Sequence, residues 1–177
     1  MTITIDTSDY DPTKSGAFES PSPGRAHVLV TDWEEYAVSG RQGASHRMTL
    51  EILAHDNEED VGKIHREIFS SLPSANWKLR AAVLALGLVT TQQLEQAKKE
   101  GKSIEVDMSQ AVGRTMYVRF AKHMYNDQEF IRVDGRMYSL DDPRCQGWPT
   151  CDAMVKRGQA DQQTEPDEAK QADPFGF

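Results

Sequence analysis

Long apolar runs are missing from this sequence. The longest, Ala81 to Leu88, falls far short of the roughly 18 residues that a membrane-spanning helix needs. The first residues, MTITIDTSDYDPTK, have neither the basic start nor the apolar segment of an export signal. Cysteine is scarce: only Cys145 and Cys151 occur, with no pair of histidines nearby. That fits two free thiols in a reducing cytosol better than a disulfide framework or a closed zinc site. Enzyme signatures are also absent. The chain has no glycine-rich phosphate loop, no HExxH, no GxSxG and no HxE followed by CxxC. Its five histidines are scattered, so no catalytic constellation assembles. The expectation is a soluble, unexported protein that is not an enzyme and carries no cofactor or metal.

Acids outnumber bases, for a net charge of −8, but the sum conceals a distribution. Residues 1–23 and 150–177 each carry −3, whereas residues 24–140 carry fifteen bases against sixteen acids. The body is near neutral and its ends are acidic, so a local basic face on the body remains open. The run His55 to Asp60 (HDNEED) offers acids that a Mg²⁺-dependent nuclease would use. A solvated turn is the ordinary state of such a run.

Hydrophobic residues make up 38% of the chain, enough for one modest core. Residues 1–23, broken by Pro12, Gly16, Pro21 and Pro23, predict an extended or disordered lead-in to a folded domain over 24–140. Arg25 to Tyr36 predicts a long, bent strand, and Ser39 to Ser45 a hairpin loop. In Arg47 to Leu53, Met48, Leu50 and Ile52 alternate with Arg47, Thr49 and Glu51, as in a half-buried strand. Val61 to Phe69 reads as a third strand, with Ile64 and Ile68 inward and Lys63, His65, Glu67 and Phe69 outward, although a helix can also be drawn through it. A helix follows Pro73, with Ser74 as N-cap and Trp77, Ala81, Leu84 and Leu88 at helical spacing toward the core. Thr90 with Gln93 signals a capping box for a second helix ending at Gly101. From Gly113, the residues Met116, Val118 and Phe120 alternate with Tyr117, Arg119 and Ala121 in a fourth strand. A turn at His123–Asp127 leads into Glu129–Val133, and Asp134-Gly135 reads as a hairpin turn into Arg136–Leu140.

This order predicts a mainly β fold with α, a five-stranded Greek-key barrel of the oligonucleotide/oligosaccharide-binding (OB) type, with its helical insertion between strands 3 and 4. A generic α+β domain is the competing architecture. OB barrels present the face of strands 2 and 3 and the loops joining strands 1–2 and 4–5. Here those positions offer Arg41, His46, Arg47, Lys63, His65 and Phe69, then Tyr117, Arg119, Lys122, His123 and Tyr125, with Trp33 and Tyr36 as further rings. Cations that track phosphates and rings that stack on bases suit single-stranded nucleic acid.

Residues 141–157 connect the body to a last stretch, Gly158–Phe177 (GQADQQTEPDEAKQADPFGF). It has no aliphatic residue larger than alanine, so it predicts a disordered tail. Asp173, Pro174, Phe175, Gly176 and Phe177 place two rings beside acids at its tip, a peptide suited to a basic-rimmed pocket. With this tail, the element order and the segment G-R-x-x-Y-V-R-F (Gly113 to Phe120), the chain resembles phage-encoded single-stranded DNA-binding proteins. The bacterial counterparts end in an Asp-rich stretch followed by Ile-Pro-Phe, where this chain has Asp-Pro-Phe-Gly-Phe. The resemblance implies a non-catalytic protein, in the cytoplasm of a bacterial host, that coats exposed strands during DNA replication, recombination or repair. It also implies recruitment of a polymerase, primase-helicase or recombinase through the tail; a homo-oligomer is compatible with it. A protein-interaction adaptor and a metal-dependent nuclease are the rival classes.

Overall fold

The computed structural model describes residues 19–36 and 45–154. Strands β1 (Gly24–Tyr36), β2 (Ser45–His55), β3 (Ile64–Ser70), β4 (Thr115–Tyr125) and β5 (Gln128–Tyr138) form one antiparallel sheet in the order β3-β2-β1-β4-β5. Helices α1 (Asn76–Ala85) and α2 (Thr91–Glu100) fall between β3 and β4 in the chain. The fold is therefore mainly β with a few helices. Its sheet is open, because no ladder joins β3 to β5 among the described residues.

Alternation decides which face is buried. Val28 and Val30 of β1, Met48, Leu50 and Ile52 of β2, and Met116, Val118 and Phe120 of β4 point into one core, at no more than 1% exposure. Burying a side chain of this size contributes about 1.5–3 kcal/mol. That core also takes Ala82, Ala85 and Leu86 from α1 and the turn that ends it. The inner face of the β2 strand is the one its sequence predicts.

The face of β3 is the reverse of the sequence expectation. His65, Glu67 and Phe69 point inward and are buried, while Ile68 is 42% exposed. The cause is a charge partner supplied from elsewhere in the chain. Lys78 of α1 pairs with Glu67, whose other oxygen accepts hydrogen bonds from His65 Nε2 (2.8 Å) and the Val133 N–H (3.0 Å). With these partners the carboxylate avoids the penalty of an unpaired buried charge. Burial alone would raise the pKa of Glu67; the His65 hydrogen bond and the Lys78 charge outweigh it and hold the group below its ordinary range.

Three further expectations are corrected. Ser74 does not cap α1: it lies in a 3₁₀ turn, Pro73–Ala75, and the N-cap position falls to Ala75, which makes no side-chain cap. Trp77 is not core but 52% exposed, since the buried face of α1 follows Ala82, Val83 and Ala85 instead. Asp134-Gly135 is not a turn. The hairpin between β4 and β5 closes at Asn126–Asp127, both at positive φ (48° and 59°), the backbone of a tight two-residue hairpin. Helix α2 follows its signals: Thr90 and Gln93 form the reciprocal capping box, and Gly101, at φ 65°, ends the helix.

Candidate nucleic-acid interface

Beyond Phe120 and Val133, β4 and β5 continue as a two-stranded arm to the Asn126–Asp127 turn, with Ile131 still packed against the edge of the core. The register Ala121↔Arg132, His123↔Phe130 and Tyr125↔Gln128 places those six residues on one side of the ribbon, together with Arg119 at its base. Tyr125 is 63% exposed and Phe130 is 39% exposed. The Arg132 guanidinium lies 6.0 Å from the centre of the Phe130 ring. No carboxylate stands on this side from the Ala121↔Arg132 pair to the Tyr125↔Gln128 pair, while Asp134 faces Arg119 at the base. On the opposite side, Lys122 is neutralised by Glu129 at 3.0 Å.

Arg119 pairs in register with Arg25 of β1, and it has no ion pair among the described residues. Arg25 is bound to Asp56 (Nη2 to Oδ1, 2.8 Å), and that hydrogen bond holds the Asp56 carboxyl below its usual pKa. The stripe therefore combines two guanidinium groups without an ion pair among the described residues, Arg119 and Arg132, with three rings, His123, Phe130 and Tyr125. Cations of this kind neutralise phosphate, and exposed rings stack on bases.

The other sequence candidates lie elsewhere. Arg47, on the outer face of β2, donates to Glu34 (Nε to Oε1, 2.7 Å) in a neighbourhood that includes Asp32 and Glu51. Lys63 precedes β3 and pairs with Asp60 at 2.6 Å and Glu19 at 3.6 Å. Desolvation works against ionising Asp60, but Lys63 and Ser22 hold its pKa below the ordinary range. His65 and Phe69, expected on the outside, are buried in the core. Trp33 is half-buried, stacked on His46 (5.2 Å between ring centres) and tilted against Phe69. Tyr117 does leave the sheet on the outer side as expected, yet it is only 5% exposed.

The cover over Tyr117 is residues 139–154, a strap laid across the outer face of β1, β4 and β5. The Tyr117 hydroxyl bonds Thr150 Oγ1 (2.7 Å), and Trp148 meets Tyr117 and Tyr138 edge-on. The Cys151 N–H donates to Nδ1 of the buried His27 (3.0 Å). Cys145 is enclosed in the same cluster, where burial pushes its thiol up to about 11. The strap ends the exposed part of this face near Arg25, whose guanidinium lies 5.9 Å from the Trp148 ring. The stripe thus begins where the strap stops.

Of the sequence candidates, the arm unites Arg119, His123 and Tyr125. Phe130 and Arg132 were missed, although their alternation with Glu129 and Ile131 in EFIRV is the signal that finds them. Arg41, the side chain of Tyr36, and the tail residues Asp173, Pro174, Phe175 and Phe177 lie outside the described residues. Elsewhere, a groove of about 490 Å³ beside α2 is lined in part by Glu100, Glu105 and Asp107, a charge unsuited to phosphate. Among the described residues no three His, Cys, Asp or Glu side chains are grouped to hold a metal ion, and no helix is long and apolar enough to cross a membrane. Compared with known proteins, the chain matches no family model and no curated protein.

Proposed function

We propose that this protein binds single-stranded DNA through the outer side of the β4–β5 arm and works as a non-catalytic strand-coating factor in DNA replication, recombination or repair. The observation that carries the reading is the stripe itself, in which Arg119 and Arg132, without an ion pair among the described residues, share one side with His123, Phe130 and Tyr125, a side with no carboxylate between Arg132 and the tip. A duplex hides its bases inside the stack, whereas single strands present every base to an aromatic platform. Such a stripe favours single strands over duplex.

The architecture supports an OB-type reading. The strand order β3-β2-β1-β4-β5 is that of such a barrel unrolled at the β3–β5 seam, and α1 follows β3 as the insertion helix does. At the seam, Glu67 joins the two edge strands through the Val133 N–H. Under this reading the acidic tail serves recruitment, with Phe175 and Phe177 as the anchors for a replication or recombination enzyme.

Fluorescence titration of the full chain with a labelled oligonucleotide, at several salt concentrations, tests the assignment. Tyr125→Ala and Phe130→Ala should each cost about 1–3 kcal/mol, or about 5- to 150-fold in Kd. Arg119→Ala and Arg132→Ala should each reduce the slope of log K against log salt by about 0.7. Wild-type affinity in all four variants would move the function away from the arm. Oligonucleotide binding that is absent from the wild type, with a protein captured on the same residues, would favour the adaptor.

A further inference from the structure

The arm's base lacks a continuous ladder. Between the pairs Val118↔Met137 and Phe120↔Val133, one residue of β4, Arg119, faces three of β5: Asp134, Gly135 and Arg136. A bulge of this kind bends the strand and strengthens its twist. A two-stranded ribbon is marginal by itself, so, beyond the packing of Ile131 on the core, the direction in which the arm leaves the body depends on this base.

Two contacts meet there, and both lead to the first turn of α1. Glu67 of β3 accepts the Val133 N–H, one residue before the bulge, and is itself bound by Lys78. The Trp77 ring covers Gly135 so closely that a Cβ at that position would lie 2.5 Å from Trp77 Cη2. Gly135 has φ +84°, a conformation that glycine adopts without cost. Trp77 is thus a half-exposed tryptophan pressed onto backbone, beside a buried carboxylate that grips the same strand. Neither residue lies on the stripe.

We propose that Trp77 and Glu67 form a clamp that sets the attitude of the β4–β5 arm, making them positioning residues for the strand-binding stripe. The role in positioning rests on the single-strand reading; the clamp itself does not. When Trp77 is in place, the bulge is held from α1 and the stripe keeps a fixed angle to the body. Without it, the arm pivots about Gly135, and binding must order it at the expense of affinity.

Hydrogen exchange and oligonucleotide titration on full-length wild type, Trp77→Ala and Trp77→Phe test the proposal together. In Trp77→Ala the amides of Gln128–Val133 should exchange about tenfold faster while those paired between β1 and β2 keep their protection. Single-strand affinity should fall by about fivefold with the salt slope unchanged, since no phosphate contact is removed. Trp77→Phe, which retains a ring over Gly135, should restore both. Unchanged arm exchange in Trp77→Ala overturns the clamp, as does an increase spread evenly over the sheet, which marks general destabilisation. An arm-confined change in a protein whose wild type binds no oligonucleotide overturns the single-strand reading and leaves the clamp standing.

Discussion

Acid should loosen the strap through one buried ring. His27 is fully buried between β2 and β4, its Nδ1 accepts the Cys151 N–H, and its Nε2 has no hydrogen-bond partner among the described residues. Desolvation disfavours the imidazolium and brings the pKa from 6.5 down to about 4, with Asp152 opposing only in part. The unfolded chain takes up this proton near its ordinary pKa and the native state only at the lower one. Between the two the unfolded state binds more protons, so the native state loses stability as the pH falls through that window. At 1.36 kcal/mol per pH unit, the loss between about pH 7.5 and about pH 4.5 comes to about 2.5 kcal/mol. His27→Asn keeps an acceptor near the Nδ1 position and cannot titrate. Urea unfolding of both proteins across this range, taken as the wild-type minus variant difference, largely cancels the other titrating groups. That difference should shrink on acidification by about 2.5 kcal/mol. A difference constant with pH would refute the assignment of His27 as a ring buried neutral under the strap.

Phe69, 1% exposed, should behave as core rather than contact: Phe69→Ala should cost about 3–5 kcal/mol in urea unfolding. Where the variant remains folded, its salt slope for oligonucleotide should match that of the wild type. Deleting residues 158–177 should leave single-strand affinity unchanged or tighten it, because acids that compete for Arg119 and Arg132 are removed. The same deletion should abolish capture of the recruited enzyme. A large loss of strand affinity in the truncation would instead place part of the binding site in the tail.

Local pattern was legible where the face of a strand is set by its own residues. Met48, Leu50 and Ile52 show their inward side in the sequence, as do Met116, Val118 and Phe120, and the Thr90–Gln93 box marks the start of α2 to the residue. The pattern misleads where a distant partner reverses the local preference. Glu67 and His65 look like surface residues until Lys78 and Val133 arrive from α1 and β5. Tyr117 is outward by parity but covered by a strap more than twenty residues later in the chain. Asp134-Gly135 has the composition of a hairpin turn, but Asn126–Asp127 already provides that turn, which leaves Gly135 to form a bulge under Trp77. The arm was half visible, because Arg119 and Tyr125 were recognised from β4 while their neighbours on β5 required the register.

Affinity for single-stranded and double-stranded oligonucleotides of one sequence, measured at low and moderate salt, bears most directly on the central claim. The account predicts clear preference for the single strand and an affinity that falls with salt at a slope of about −1.4 if Arg119 and Arg132 supply the phosphate contacts, and steeper with more. Equal affinity for duplex, or binding insensitive to salt, would contradict it.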